Sequence, residues 1–207
     1  MESAYSKIFL YIIIVLSSVF HEFAHSFIAF RLGDNTAKDA GRLTLNPLKH
    51  LDPIGTVAVP LFLLFTSGIF IGWAKPVPYN PNNLRDQKYG SLKVGIAGPS
   101  ANFLIAIALG FFLRFFSGYL LISGFVNPLF LEFLGLIVYI NIFLALFNLI
   151  PLPPLDGSKI IMDLFPRQRA LIEQLGFMGI FLALIAAFFI LSPIARVIFW
   201  LLTGQGF

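Results

Sequence analysis

The motif HEFAH (residues 21–25) places two imidazoles and one carboxylate within a short stretch of chain. On a helix, residues four apart lie on one face, so His21 and His25 can bind the same metal ion. Glu22, on a neighbouring face, can approach a water molecule on that metal. This is the H-E-x-x-H arrangement of zinc peptidases. The spacing predicts a hydrolytic zinc site, and buried structural histidines are the alternative.

The surroundings of the motif favour the metal site over that alternative. HEFAH lies in the apolar run of residues 8–30, which is long enough to cross a bilayer as a helix. A charged group at the centre of a membrane helix costs about 2.5 kcal/mol or more on insertion scales, so ionisable residues there need a partner or a function. We therefore expect the three ionisable side chains of HEFAH to act together.

The composition is that of a membrane protein. Of the 207 residues, 58% are hydrophobic and 12% are charged, and the mean hydropathy is +0.88. These values exclude an ordinary soluble domain. The net charge of +4 comes with no basic stripe of interleaved aromatics, so we expect a lipid surface and no nucleic acid as partner. Because the chain has no cysteine, a metal must be bound by His, Asp, Glu or water.

The apolar runs predict an all-α polytopic membrane protein with about five to six membrane segments. The runs comprise residues 8–30, 54–73, 94–116, 128–150 and 171–191. Residues 193–202 are too short to cross alone, unless Pro193 only kinks one long helix. Pro60 and flanking glycines permit either a full crossing or a re-entrant course for residues 54–73. Polar and apolar residues alternate at Arg42–Leu45, which predicts a small membrane-associated β element, with a surface hairpin as the alternative.

The positive charges predict the topology. Eleven of the 14 Lys and Arg residues lie in three basic stretches, residues 31–52, 75–93 and 159–169. The positive-inside tendency makes all three cytoplasmic and the run 54–73 re-entrant. The first and fourth runs then both end on the cytoplasmic side, which makes Asp156 a candidate third ligand beside His21 and His25. Two His, one carboxylate and an open water position form a catalytic zinc set.

Three motifs together resemble those of the site-2 proteases, intramembrane zinc metalloproteases that cut transmembrane segments within the bilayer. Besides HEFAH, AGPSANF (residues 97–103) is similar to the family's Gly-Pro-x-x-Asn element, and NLIPLPPLDG (residues 148–157) is similar to its Leu-Asp-Gly motif. Their order and spacing agree across residues 8–157. GRLTLNP and KHLDPIG (residues 41–47 and 49–55) further resemble the compact prokaryotic branch, so we expect no accessory soluble domain within these 207 residues.

The resemblance implies specific roles for the residues of these motifs. The ligands of one Zn²⁺ ion per chain are expected to be His21, His25 and Asp156. Glu22 is expected to be the catalytic base. Asn102 and Asn148 match positions that contact substrate or line the site, although for Asn148 a polar cap on the helix before Pro151 is the alternative. His50 matches no family ligand and is expected to be structural.

The function expected from these residues is hydrolysis of transmembrane segments of membrane proteins. Residues 1–207 should form a single metalloprotease domain, with a core at 8–157 and C-terminal membrane segments within 170–203. We expect a multi-pass protein of the cell membrane whose site faces the cytoplasm. A substrate helix must unwind before cleavage, and its extended chain could pair with residues 42–45 or 74–79. The alternatives are a metal-ion transporter and an inactive relative that binds membrane helices.

Overall fold

A computed structural model describes residues 4–66, 75–124, 126–176 and 178–207. These residues are predominantly helical and contain no β-strand, so the predicted all-α class is confirmed. The chain divides into two compact units, Met1–Gly98 and Pro99–Phe207. Each unit is described by itself below.

The helices of the first unit begin with the one that carries HEFAH. They are α1 (Ala4–Arg31), α2 (Thr36–Asp39), α3 (Val59–Thr66) and the first turns of α4 (Gly90–Ile122). A π-helical segment, Pro53–Ala58, leads directly into α3. Single 3₁₀ turns occur at Pro47–Lys49 and Pro81–Asn83. Residues 75–80, which precede the second of these turns, have no regular secondary structure.

The second unit contains the rest of α4 and the remaining helices. They are α5 (Pro128–Asn148), α6 (Asp156–Leu164), α7 (Arg169–Leu175), α8 (Met178–Ala186) and α9 (Ser192–Thr203). A 3₁₀ turn at Pro166–Gln168 precedes α7, and a π-helical segment at Ala187–Leu191 joins α8 to α9. The core of this unit lies between α4, α5 and α9. Its buried residues are Ala106, Leu113, Val138, Ile142, Ala195 and Phe199.

Four helices in the described part of the chain are long and apolar enough to cross a membrane. They comprise Lys7–Arg31, Gly90–Ile122, Pro128–Asn148 and Met178–Thr203. The predicted count of five to six segments is not confirmed. The run 54–73 yields only the shorter apolar helix Pro53–Leu63, and residues 67–73 of that run lie outside the described residues.

The last of these helices decides between the two alternatives for the C-terminal segments. The sequence runs 171–191 and 193–202 do not correspond to separate helices, because Met178–Thr203 is one continuous helical span. Pro193 lies in the first turn of α9, directly after the π-helical segment. The missing N–H of proline is tolerated where the regular hydrogen-bond pattern already changes. The alternative in which Pro193 does not end the helix is therefore the right one.

The predicted strand at Arg42–Leu45 is not found in the structure, where these residues form an irregular bend. The Arg42 N–H donates to the carbonyl of Ala37, which ends the short helix α2. The Arg42 guanidinium donates to the carbonyl oxygen of Lys75 at 2.6 Å. A four-residue alternation has little preference of its own for a strand without a neighbouring strand to pair with.

A buried carboxylate, Asp34, joins the end of α1 to the loop that precedes α4. It accepts hydrogen bonds from the Thr36 hydroxyl and N–H, from the Asn80 N–H at 2.7 Å and from the Asn83 amide at 3.0 Å. Burial by itself raises the pKa of Asp34, but the hydrogen bonds to its ionised form outweigh burial and the pKa is lowered. Asp34 therefore holds residues 80–83 close to the end of α1.

Candidate metal centre and catalytic base

The two histidines of HEFAH lie together on one face of α1, as the four-residue spacing predicts. Both side chains are buried, with 6% of His21 and 7% of His25 exposed. Their ring centroids are 4.6 Å apart and the rings meet edge to face. Two imidazoles in this arrangement can present nitrogen atoms to one ion.

Both imidazoles converge on the backbone of α4 at Gly98. A Cβ atom at this position would overlap the Nε2 atoms of both His21 and His25. The two Nε2 atoms therefore lie beside the same point, which only glycine leaves open. The Nδ1 atom of His25 lies 2.6 Å from the carbonyl oxygen of Val94 and donates to it, so that Nε2 carries the lone pair. This is the tautomer that a metal ligand requires.

Glu22 lies between the two histidines in sequence and contacts a different segment. Its Oε2 atom accepts a hydrogen bond from the Val77 N–H at 2.9 Å. Val77 belongs to the stretch 75–80, which directly precedes the 3₁₀ turn Pro81–Asn83. One carboxylate oxygen of Glu22 is thus held by backbone, next to the two histidines on α1.

The stretch 75–80 is itself fixed at both ends within the first unit. At one end, the Lys75 N–H donates to the carbonyl oxygen of His50 at 3.1 Å, and the Arg42 guanidinium donates to the Lys75 carbonyl. At the other end, the Asn80 N–H donates to Asp34. His50 is buried and its Nε2 lies 2.8 Å from the carbonyl oxygen of Thr44, consistent with the structural role expected for it.

Asp156, in the second unit, is the first residue of α6 and is buried. Its Oδ1 atom lies 2.7 Å from the Nζ atom of Lys159, one turn along the helix. The start of α6 packs closely against the backbone at the end of α5. A Cβ atom on Gly157 would overlap the carbonyl oxygens of Leu149 and Ile150. Gly157 therefore allows α6 to start close to the end of α5.

The two asparagines expected at the site make contacts within the second unit. Asn102 is completely buried, and its amide donates to the Asn141 side-chain oxygen at 2.8 Å, which links α4 to α5. Asn148 is the last residue of α5 and its amide donates to the Leu144 carbonyl at 2.9 Å, as the capping alternative predicts. A substrate contact of either residue stays a prediction.

Several contacts at the candidate site and next to it were not predicted from the sequence. The hydrogen bond from Val77 to Glu22 joins residues 55 positions apart, and no local pattern indicates it. The contacts of Asp34 with Asn80 and Asn83 are also remote in sequence, at 46 and 49 positions, whereas its contacts with Thr36 are local. The ion pair of Lys159 and Asp156 has a local signal, since residues three apart on a helix are neighbours.

Comparison with known proteins decides the family. Residues 123–192 match the model of peptidase family M50. The chain is 38% identical to the Bacillus subtilis protein named "Putative zinc metalloprotease YwhC", over 96% of this chain and 87% of that protein. The chain belongs to peptidase family M50. This family is that of the site-2 proteases, so the resemblance noted in the motifs is confirmed.

Two further relatives extend the comparison. "Putative zinc metalloprotease Rip2" of Mycolicibacterium smegmatis is 33% identical over 83% of this chain and 64% of its own length. "Zinc metalloprotease MJ0392" of Methanocaldococcus jannaschii is 30% identical over 80% of this chain and 37% of its own length. No solved structure matches the chain. Membership of the M50 family confirms the predictions of a zinc metalloprotease with Zn²⁺ as cofactor, and favours a protease over a metal-ion transporter.

Proposed function

We propose that this M50 peptidase is an intramembrane zinc metalloendopeptidase that cleaves transmembrane segments of membrane proteins. One observation carries the proposal. The Nε2 atoms of His21 and His25 converge beside Gly98, with Glu22 adjacent, on a helix that is long and apolar enough to span a membrane. A hydrolytic site on such a helix meets its substrates at membrane depth.

The residues fit a zinc ion by their donor atoms. Two imidazole nitrogens and one carboxylate oxygen, with a position left for water, form a catalytic set. We propose Asp156 as the third ligand, on the strength of its burial and its place in the Leu-Asp-Gly motif. Because Lys159 engages Oδ1 of Asp156, Oδ2 is the oxygen proposed for the metal. With ligands from both units, residues 1–207 would act as a single metalloprotease domain.

Glu22 is proposed as the general base. Zinc at this site would supply a Lewis acid and lower the pKa of a water molecule toward neutrality. The Glu22 carboxylate would accept a proton from water at Oε1, since Oε2 accepts the Val77 N–H, and would deliver that proton to the leaving amine. The hydrogen bond from His25 Nδ1 to the Val94 carbonyl would keep the imidazole in the tautomer whose Nε2 can bind the metal during the reaction.

The substrate is proposed to bind as an extended chain next to residues 75–79. A transmembrane helix hides its peptide bonds in its own hydrogen-bond pattern, so it must unwind locally before cleavage. Pro76 and Pro78 have no N–H, and the N–H groups of Lys75 and Val77 donate within the first unit. The stretch would therefore accept hydrogen bonds from the substrate through its carbonyl groups. Residue 74, which completes the predicted 74–79 stretch, lies outside the described residues.

The location proposed is the cell membrane, crossed several times, with the site on the cytoplasmic side. The support is the charge pattern, in which three basic stretches flank the apolar segments. The same pattern supports a re-entrant course for residues 54–73. A cysteine introduced at Asn82 should react with a membrane-impermeant reagent only from the cytoplasmic side. Labelling from outside intact cells would contradict this topology.

The proposal is tested by zinc content and proteolysis on the detergent-purified chain. We expect one zinc per chain in the wild type and a sharp loss in Asp156→Ala. Glu22→Gln should keep its zinc and lose cleavage of a model transmembrane peptide by about a hundredfold or more. Glu22→Gln that cleaves at the wild-type rate would refute the role of general base.

A further inference from the structure

A backbone amide of the stretch 75–80 holds the proposed catalytic base. The Val77 N–H lies 2.9 Å from Oε2 of Glu22. We propose that the Val77 amide is a positioning group, which fixes Oε2 and thereby directs Oε1 toward the water that is to be deprotonated. The inference rests on the proposed role of Glu22 as general base. It assigns a catalytic function to residues 75–80, which lie outside the zinc-binding motif.

The sequence around Val77 reduces the entropy that must be lost to hold this amide in place. Pro76 and Pro78 have φ fixed near its extended value by their rings. A residue that precedes proline is also restricted to extended conformations, which applies here to Lys75 and Val77. The sequence itself thus restricts the backbone of four consecutive residues, Lys75 to Pro78. The Val77 N–H is therefore preorganised for its acceptor.

The stretch is also fixed in position on both sides of Val77. Two residues before it, Lys75 is bound through its N–H by His50 and through its carbonyl by Arg42. Three residues after it, the Asn80 N–H donates to the buried carboxylate of Asp34. The stretch cannot slide along α1 without breaking hydrogen bonds at both ends. Val77 and Glu22 consequently keep a fixed register.

The contact has a chemical consequence for the base. The Glu22 side chain has three rotatable bonds, and without a partner its carboxylate would sample several rotamers. An amide donor that points at one oxygen selects one of these rotamers. Loss of about 1 Å of precision in a reacting group can reduce a rate by about a hundredfold. The Val77 amide should thus contribute to kcat and not to substrate affinity.

The test compares two changes at Val77. An ester bond in place of its amide, made by incorporating the hydroxy-acid analogue of valine, removes the N–H and keeps the side chain. Val77→Ala keeps the N–H and shortens the side chain. With a model transmembrane peptide that the wild type cleaves, we expect the ester variant to have a kcat about tenfold or more below that of Val77→Ala. KM and zinc per chain should be the same in both.

Equal kcat values for the ester variant and Val77→Ala would overturn the inference. If the ester variant does not fold, the double variant Pro76→Ala with Pro78→Ala decides, because it keeps the Val77 N–H and removes the proline restraints on either side of it, while adding an N–H at positions 76 and 78. We expect its kcat to fall, and a wild-type kcat would overturn the inference. Glu22→Gln separates the two proposals. If it cleaves, the base role itself fails, whereas if it is inactive and the ester variant matches Val77→Ala, only the positioning role fails.

Discussion

Replacing Gly98 by alanine should remove zinc from the chain while leaving the fold largely intact. The added Cβ would overlap Nε2 of both His21 and His25. The imidazoles would have to move by about 1 Å before the contact became an ordinary van der Waals one. Zinc sites hold their ligand distances to within about 0.2 Å, so a shift of this size disrupts both nitrogen ligands.

The magnitudes differ for metal binding and for stability. Changes to groups that only orient a ligand reduce metal affinity about 10- to 100-fold, so displacement of two ligands should reduce it by about a hundredfold or more. Alanine in a helix interior is favoured over glycine by about 1 kcal/mol. Overpacking opposes this with about 1–3 kcal/mol. The free energy of unfolding of Gly98→Ala should therefore fall by at most about 2 kcal/mol.

The assay is zinc per chain by elemental analysis, together with competition against a chelator of known affinity. Gly118→Ala is the matched control, because Gly118 lies in the same helix α4 and a Cβ there meets no atom within 4 Å. Its zinc affinity should equal that of the wild type. Wild-type zinc affinity in Gly98→Ala would refute the reasoning, since it would mean that the two Nε2 atoms do not bind the ion.

Three further predictions concern Lys159, the substrate and Asp34. Lys159→Met should lower zinc affinity about tenfold in a chelator competition, because Oδ1 of Asp156 loses the ammonium group that orients it; unchanged affinity would contradict this. Glycine or proline placed in the span of a model transmembrane substrate should raise its cleavage in a gel assay, because the helix unwinds more easily, and indifference to such residues would count against local unwinding. Asp34 has a pKa below its ordinary value of 3.8, so its ionised form stabilises the fold above that pH and the stabilisation is lost as pH falls through the lower pKa. In unfolding measurements from pH 6 downward, the wild type should lose stability below about pH 4 more steeply than Asp34→Asn, and parallel curves would contradict the role of Asp34.

Much of the architecture follows from patterns that extend over about 20 residues. The apolar runs 8–30, 94–116 and 128–150 predicted three of the four long helices of the described residues, with the largest error at the end of α4, which extends six residues beyond the run. For the C-terminal segments the sequence left one helix or two as alternatives, because proline usually ends a helix and the sequence does not reveal the π-helical segment before Pro193. The strand at Arg42–Leu45 was wrong because four alternating residues are a weak signal without a pairing partner.

For the candidate site, too, some features follow from the sequence and others only from the tertiary structure. The sequence by itself determined that His21 and His25 share a face and predicted a zinc metalloprotease, because helix periodicity and motif chemistry are local properties of the chain. Only the tertiary structure decided that both histidines converge on Gly98, that Val77 holds Glu22 and that Asn102 is buried against Asn141. These contacts join residues between 39 and 77 positions apart. They depend on how separate segments pack, which no short-range pattern encodes.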